Sequence, residues 1–251
     1  MRILVTFAVD WEFKPWLRLG RFQSASVNGR DFRAEIADQN VRVILTGVGP
    51  ANAARSIRNF VDQVPDLCIT SGLAGGLKHQ HRPGEILAAR SVRAENSEHE
   101  YESDEELFTA AVECGAKPVE RFISSAHVVR TAQEKRRIST FADAVDMESF
   151  AIMKEMRGLG VPCVAVRSVS DSAEMDLPCN FDSALDSSGR ISMARVLGQV
   201  ACDPRQAWPL AQLGMRSSRA AAALARYLNG YIACLAAHKE KMDLRVQHIS
   251  Q

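Results

Sequence analysis

Apolar residues in this chain gather in short runs that alternate with stretches of helical spacing. Residues 2–8, 41–46, 67–71, 85–94, 121–129 and 161–169 read as strands, most of them apolar almost throughout. Residues 23–37 carry short polar strands with a turn at Asn28-Gly29. Pro50 suits the first turn of a helix over 51–60, and Asp104 suits the cap of a helix over 104–114 that opens with Glu105 and Glu106. Further helices are predicted over 132–141 and from Glu148 onward. Strands and helices in this alternation predict an α/β fold: a mixed, mostly parallel central sheet flanked by helices. In such sheets ligands sit beyond the carboxyl ends of the strands. Gly72 to Gly76, Val128 and Asp171 all fall at such ends.

The texture changes after Asp171. Residues 172–190 are acidic and serine-rich and carry Pro178, which predicts a loop. A helical C-terminal segment follows over 190–240. Its last helix, from about Arg216 to Lys239, repeats Leu224, Leu228, Ile232 and Leu235 at helical spacing, as expected for packing on the sheet. The apolar segment 193–214 fits a helix packed on the sheet as well as a lid, a dimer surface or a substrate-binding wall. No linker interrupts residues 1–175, so one domain over 1–251 is expected, with its core in 1–175.

With 251 residues, the chain can bury a substantial core. A net charge of +1 gives no whole-molecule field that would favour nucleic acid or an anionic membrane. The N-terminal residues read as a first strand rather than a signal peptide, and no apolar run looks like a membrane span, so a cytoplasmic protein is expected. The six cysteines form no CxxC pair and predict reduced, buried thiols. His79 and His81 lie two apart on a turn and read as surface residues, so no metal is expected.

Two acids stand out. Glu148, in Val145-Asp146-Met147-Glu148, and Asp171, in Arg167-Ser168-Val169-Ser170-Asp171, lie at opposite ends of one helix–strand unit. Each follows apolar residues, where a charge is costly without a partner or a task. Taken alone, Asp171 reads better as a helix cap, Asp146 reads as a complement to a helix dipole, and Glu12 reads equally as a solvated acid in a first helical turn. Two glycine loops, Thr46-Gly47-Val48-Gly49-Pro50 and Gly72-Leu73-Ala74-Gly75-Gly76, allow close backbone approach to a sugar, a water or an anion. No GxGxxG follows the first strand, so there is no dinucleotide fingerprint.

Taken in order, these segments resemble the nucleoside phosphorylase and nucleosidase superfamily. Val145 to Glu148 is similar to its Val-Glu-Met-Glu pattern, and Ser170-Asp171 to its Ser-Asp. The two glycine loops are similar to Ser-Gly-Ile-Gly and Thr-Gly-Ser-Ala-Gly-Gly-Leu. The resemblance implies cleavage of the N-glycosidic bond of a purine-type nucleoside without a cofactor. Asp171 would then protonate the base, while Glu148 and Met147 hold the ribose. Glu12 and Arg167 would position the nucleophile. Val128 and Val129 would line the base site where the family has an aromatic, with Ser170 beside them. Gly72, Leu73 and Thr70 would line the nucleophile side. Leu73 and Thr70 replace a serine and an arginine expected to bind phosphate, which favours water over phosphate as co-substrate.

The resemblance also implies a homodimer or higher homo-oligomer. The pattern from Gly189-Arg190 to Leu213 is similar to a hopanoid-associated branch that acts on adenosylhopane, and futalosine-type nucleosides are another candidate substrate class. A non-catalytic nucleoside sensor is the rival reading, which the three retained acids disfavour.

Overall fold

A computed structural model describes residues 1–26, 29–60, 63–186, 189 and 192–249, with the side chains of Phe60, Met193 and 239–249 left aside. Asn28 of the expected turn and Arg190 of the C-terminal pattern lie outside the described residues. The strands are β1 (Arg2–Phe7), β2 (Gln23–Ser24), β3 (Asp31–Ile36), β4 (Gln39–Leu45), β5 (Leu67–Thr70), β6 (Leu73–Gly76), β7 (Ile86–Ala94), β8 (Glu100–Glu102), β9 (Lys117–Ser124), β10 (Ala144–Asp146) and β11 (Cys163–Asp171). The helices are α1 (Asp10–Leu19), α2 (Pro50–Phe60), α3 (Glu105–Glu113), α4 (Ala132–Ile138), α5 (Ser149–Gly158), α6 (Phe181–Ala184), α7 (Met193–Cys202) and α8 (Ala207–Ile249).

The fold is α/β, with a mixed central sheet and helices on both faces, as expected. β1 runs parallel to β4 and β5, and β5 parallel to β11. Beyond β5 the sheet curls up. β11 pairs with β6, β6 with β10, β10 with β9, β9 with β7, and β7 returns to β11. Five strands therefore close into a ring, and β11 is bonded on both sides.

Residues 72–76 were expected as a loop, but most of them form β6. β5 and β6 are nearly one strand on the same flank of β11, broken at Ser71-Gly72. Gly72 has φ +142°, a left-handed value that favours glycine, and the kink sends β6 across to β10. The strand predicted over 121–129 ends at Ser124. Ser125 leaves the ladder to donate through its hydroxyl to Glu95, so Val128 sits in a loop. Asp104 caps α3 as expected, accepting from the Leu107 amide at 3.1 Å.

One face of the sheet carries α1, α3 and α8; the other carries α2 and α5. Phe13 and Trp16 on α1 meet Phe7, Phe22 and Phe32 in one aromatic cluster. On α8, Leu224, Leu228 and Ile232 are fully buried, and Tyr231 donates to the Leu107 carbonyl at 2.6 Å. The segment Pro204–His238 is long and apolar enough to cross a membrane by length and composition, contrary to the sequence expectation. Of its most apolar stretch, 44% is buried inside the protein. Leu197, Trp208 and Met215 stay exposed.

Two further expectations change. Cys114 and Cys234, 120 residues apart, meet sulfur to sulfur between the end of α3 and α8, while Cys68, Cys163 and Cys179 are free and buried. His81 is buried against Asp143, whereas His79 is exposed beside Glu174. Among the described residues, no group of His, Cys, Asp and Glu is arranged to hold a metal.

Candidate active site

β11 carries Arg167 and Asp171, and the strand break at Gly72 brings two further acids to it. Glu12 lies on the first turn of α1, immediately beyond β1. Its carboxylate is buried and accepts from the backbone amides of Ala8 at 3.2 Å and Leu73 at 3.3 Å. A side chain at position 72 would place its Cβ 3.1 Å from Glu12 Oε2, so glycine there makes room for the acid. Burial lifts the Glu12 pKa to about 7, against the opposing pull of Arg167.

Glu148 is the N-cap residue of α5 and follows the short buried strand β10. One oxygen accepts from the Gly49 amide at 2.7 Å, so the first glycine loop holds the acid by its backbone. Desolvation first, then the negative charge of Asp146, lifts its pKa to about 8. Met147 beside it is half-buried.

The sign of this shift gives a prediction. A carboxyl group raised in the folded state costs no stability below its ordinary value and its full cost above the raised one. Stability is therefore lost as pH rises from about 4.5 towards 8. Glu148→Gln keeps an acceptor for Gly49 and removes the charge. We expect its melting temperature to exceed that of the unmodified chain at pH 8, with the gap closing near pH 5 in parallel calorimetric scans.

Arg167 is only 1% exposed. The resemblance assigned it to the nucleophile, but the structure commits its donors elsewhere. Nε donates to Asp146 at 2.9 Å, Nη1 to the Val166 carbonyl at 3.1 Å, and Nη2 to Thr70 at 3.1 Å and Ser149 at 2.7 Å. Asp146 also accepts from the Ser124 hydroxyl. Asp146 is thus the partner of a buried ion pair rather than a complement to the α5 dipole, and Arg167 acts on Glu12 and Glu148 through its field. Thr70 is fully buried and serves Arg167.

Asp171 closes β11, and its two oxygens have different partners. Ser170, which also bonds the Ala74 carbonyl, donates to Oδ1 at 2.5 Å, and Lys135 on α4 donates to Oδ2. A Cβ at Gly75 would lie 3.3 Å from Asp171 Oδ2, much as Gly72 approaches Glu12. The two acids therefore face backbone positions three residues apart, 72 and 75. The expectation of a carboxyl group alone in a desolvated pocket is replaced by a paired one.

Val128 donates its amide to Asp182 at 3.0 Å and stays half-buried. Val129 does not face the site; it packs with Leu77, Ile123, Ala142 and Val145. Lys135, Ser149 and Ser124 were missed in the sequence. Lys135 precedes Arg136 and Arg137, and a basic run reads as a solvated face.

Known proteins resemble this chain in sequence and in fold. Residues 2–198 match the model of the phosphorylase superfamily, a match that ends within α7. A 5'-methylthioadenosine/S-adenosylhomocysteine nucleosidase of Shewanella halifaxensis is 28% identical over 201 residues, 69% of this chain and 87% of the relative. The enzyme of that name from Bacillus thuringiensis is 26% identical over 215 residues, 74% and 92% of the two chains. Among solved structures, the Streptococcus pneumoniae nucleosidase (S. pneumoniae) bound to a transition-state inhibitor superposes with a TM-score of 0.72 at 17% identity, covering 94% and 100%. The futalosine hydrolase of Helicobacter pylori gives 0.71 at 18% identity, covering 92% and 97%. The chain belongs to the phosphorylase superfamily.

Proposed function

We propose that this chain hydrolyses the N-glycosidic bond of purine nucleosides. The observation that carries the reading is that three acids are buried around β6 and β11: Glu12 and Glu148 lie within the field of Arg167, and Asp171 faces Gly75, three residues from the Gly72 beside Glu12. Each has a different environment, and acids in different environments take different roles.

Glu148 presents its second oxygen to the ribose hydroxyls, with Met147 beneath the sugar. Its carboxylate form, which gains ground as pH rises towards 8, then favours the positive charge that builds on the ribose ring as the bond breaks. Glu12, with a pKa of about 7, is part-ionised at neutral pH and suited to take a proton from an attacking water. Asp171 delivers a proton to the departing base, with Ser170 fixing its other oxygen. Water rather than phosphate fits the nucleophile side, because Arg167 is held by Asp146, Thr70 and Ser149, and Leu73 offers an amide that Glu12 already occupies. The relatives named for 5'-methylthioadenosine and S-adenosylhomocysteine support a 5'-substituted adenosine as the substrate class. An adenosylhopane-like substituent is the finer reading, supported by the exposed Leu197, Trp208 and Met215 of the C-terminal helices.

The test is release of base from adenosine, 5'-methylthioadenosine, inosine and a 5'-alkylated adenosine, with and without phosphate. Free ribose or its 5'-substituted form is the expected product, formed at a phosphate-independent rate. A ribose 1-phosphate product would make the chain a phosphorylase. Tight binding with no cleavage of any of the four would leave the sensor reading.

A further inference from the structure

Asp171 presents a difficulty for any reading in which it protonates a base. An ammonium group donates to Oδ2 and a hydroxyl lies on Oδ1, so both oxygens already face donors and neither has a proton of its own directed at a ligand. The proton has to be nearby, and one residue holds it.

Lys135 is fully buried. Its position follows from local sequence. Thr131 caps α4 by accepting from the Glu134 amide, and the Glu134 side chain accepts from the Thr131 amide in return, a complete capping box. This fixes the first turn of α4, and Lys135 follows it directly. The Nζ donates to Asp171 Oδ2, to the Ser172 carbonyl at 2.8 Å and to the Met175 carbonyl at 2.9 Å. All three of its protons are directed, and one lies on the line to Asp171. A lysine buried only for structure is rare and costly. Here the ammonium is placed where the resemblance to the family provides no role for one.

We propose that Lys135 is the positioning residue that supplies the proton Asp171 passes to the leaving base. The inference rests on the proposed nucleosidase reading. As the bond from ribose C1' to the base breaks, its electron pair moves onto the base. The base nitrogen facing Asp171 becomes steadily more basic. The Oδ2 atom, taking a proton from Nζ, delivers one to that nitrogen, leaving a neutral amine beside a carboxylate. Water adds to C1' and loses a proton to Glu12. The products are neutral base and ribose. The enzyme is left with a neutral Lys135 and a protonated Glu12, and proton exchange with solvent restores both.

The experiment compares an ordinary purine nucleoside with its 7-methylated counterpart, such as guanosine and 7-methylguanosine. The methylated base already carries the positive charge that protonation would provide, so it leaves without an acid. Lys135→Met should lose 100-fold or more in kcat on the unmethylated nucleoside, in the range of general-acid effects. It should lose less than about 10-fold on the methylated one, with KM little changed on either. Equal losses on both substrates would overturn the proposal and leave Lys135 a structural residue.

Should Lys135→Met not fold, or should the 7-methylated nucleoside be no substrate, the double variant Lys135→Met/Asp171→Asn decides. It removes both charges and should be no slower than Asp171→Asn alone, because the two residues act as one unit. Multiplying losses would overturn the proposal. An unmodified enzyme that cleaves no nucleoside at all would instead remove the nucleosidase reading on which this rests.

Discussion

Asp171→Asn lowers the rate of base release by roughly 10²–10⁴-fold, the usual worth of a positioned general acid. The variant is nearly isosteric. Its amide oxygen still accepts from one neighbour, so substrate binding should persist and the loss should fall on kcat. The variant also leaves the buried Lys135 ammonium without its countercharge, with only the carbonyls of Ser172 and Met175 as acceptors. A lower melting temperature is therefore expected beside the kinetic loss. Steady-state kinetics on adenosine and 5'-methylthioadenosine check the first part, and calorimetry the second. A variant that keeps more than a tenth of the activity would remove Asp171 from the chemistry.

Arg167→Leu has the largest expected effect on stability. It removes the partner of Asp146, which is 5% exposed, and leaves the hydroxyls of Thr70 and Ser149 with only the 3.4 Å bond between them on that side. Breaking a buried ion pair from one side costs about 3–5 kcal/mol, because an uncompensated charge stays inside. The double variant Arg167→Leu/Asp146→Leu should recover much of that loss, since no lone charge remains. It should not recover activity, because Glu148 and Glu12 then lack the positive field beside them. Chemical denaturation of the three proteins measures this. A single variant as stable as the unmodified chain would show that Asp146 and Arg167 do not depend on each other.

The strands were legible wherever local sequence decided the matter. Residues 2–8, 67–71 and 161–169 are apolar because they are buried on both faces, and the sheet followed from them. The sequence singled out Glu148 and Asp171 because each follows apolar residues, and both prove to be buried. β10 has three residues and β8 has three, too few to show a period. α1 was obscured by Pro15 within it. β6 read as a glycine loop because its glycines answer to close neighbours, the Asp171 carboxylate at Gly75 and the Asp171 backbone at Gly76, rather than to backbone conformation alone. The pairings were hidden for a different reason. Asp146 with Arg167, Lys135 with Asp171 and Cys114 with Cys234 join positions 21, 36 and 120 residues apart, and only the closed fold brings them together.

The ring of five strands also bears on how this chain behaves at high concentration. A sheet edge is a template on which another chain can add a strand and begin to aggregate. Because β7 returns to β11, the strands that carry Arg167 and Asp171 have no free edge to offer. Among the described residues, the sheet ends only at β2 and β8, which are two and three residues long. Edges so short give an incoming strand little to hold. The same closure that fixes the chemistry keeps it out of reach of strand-to-strand polymerisation.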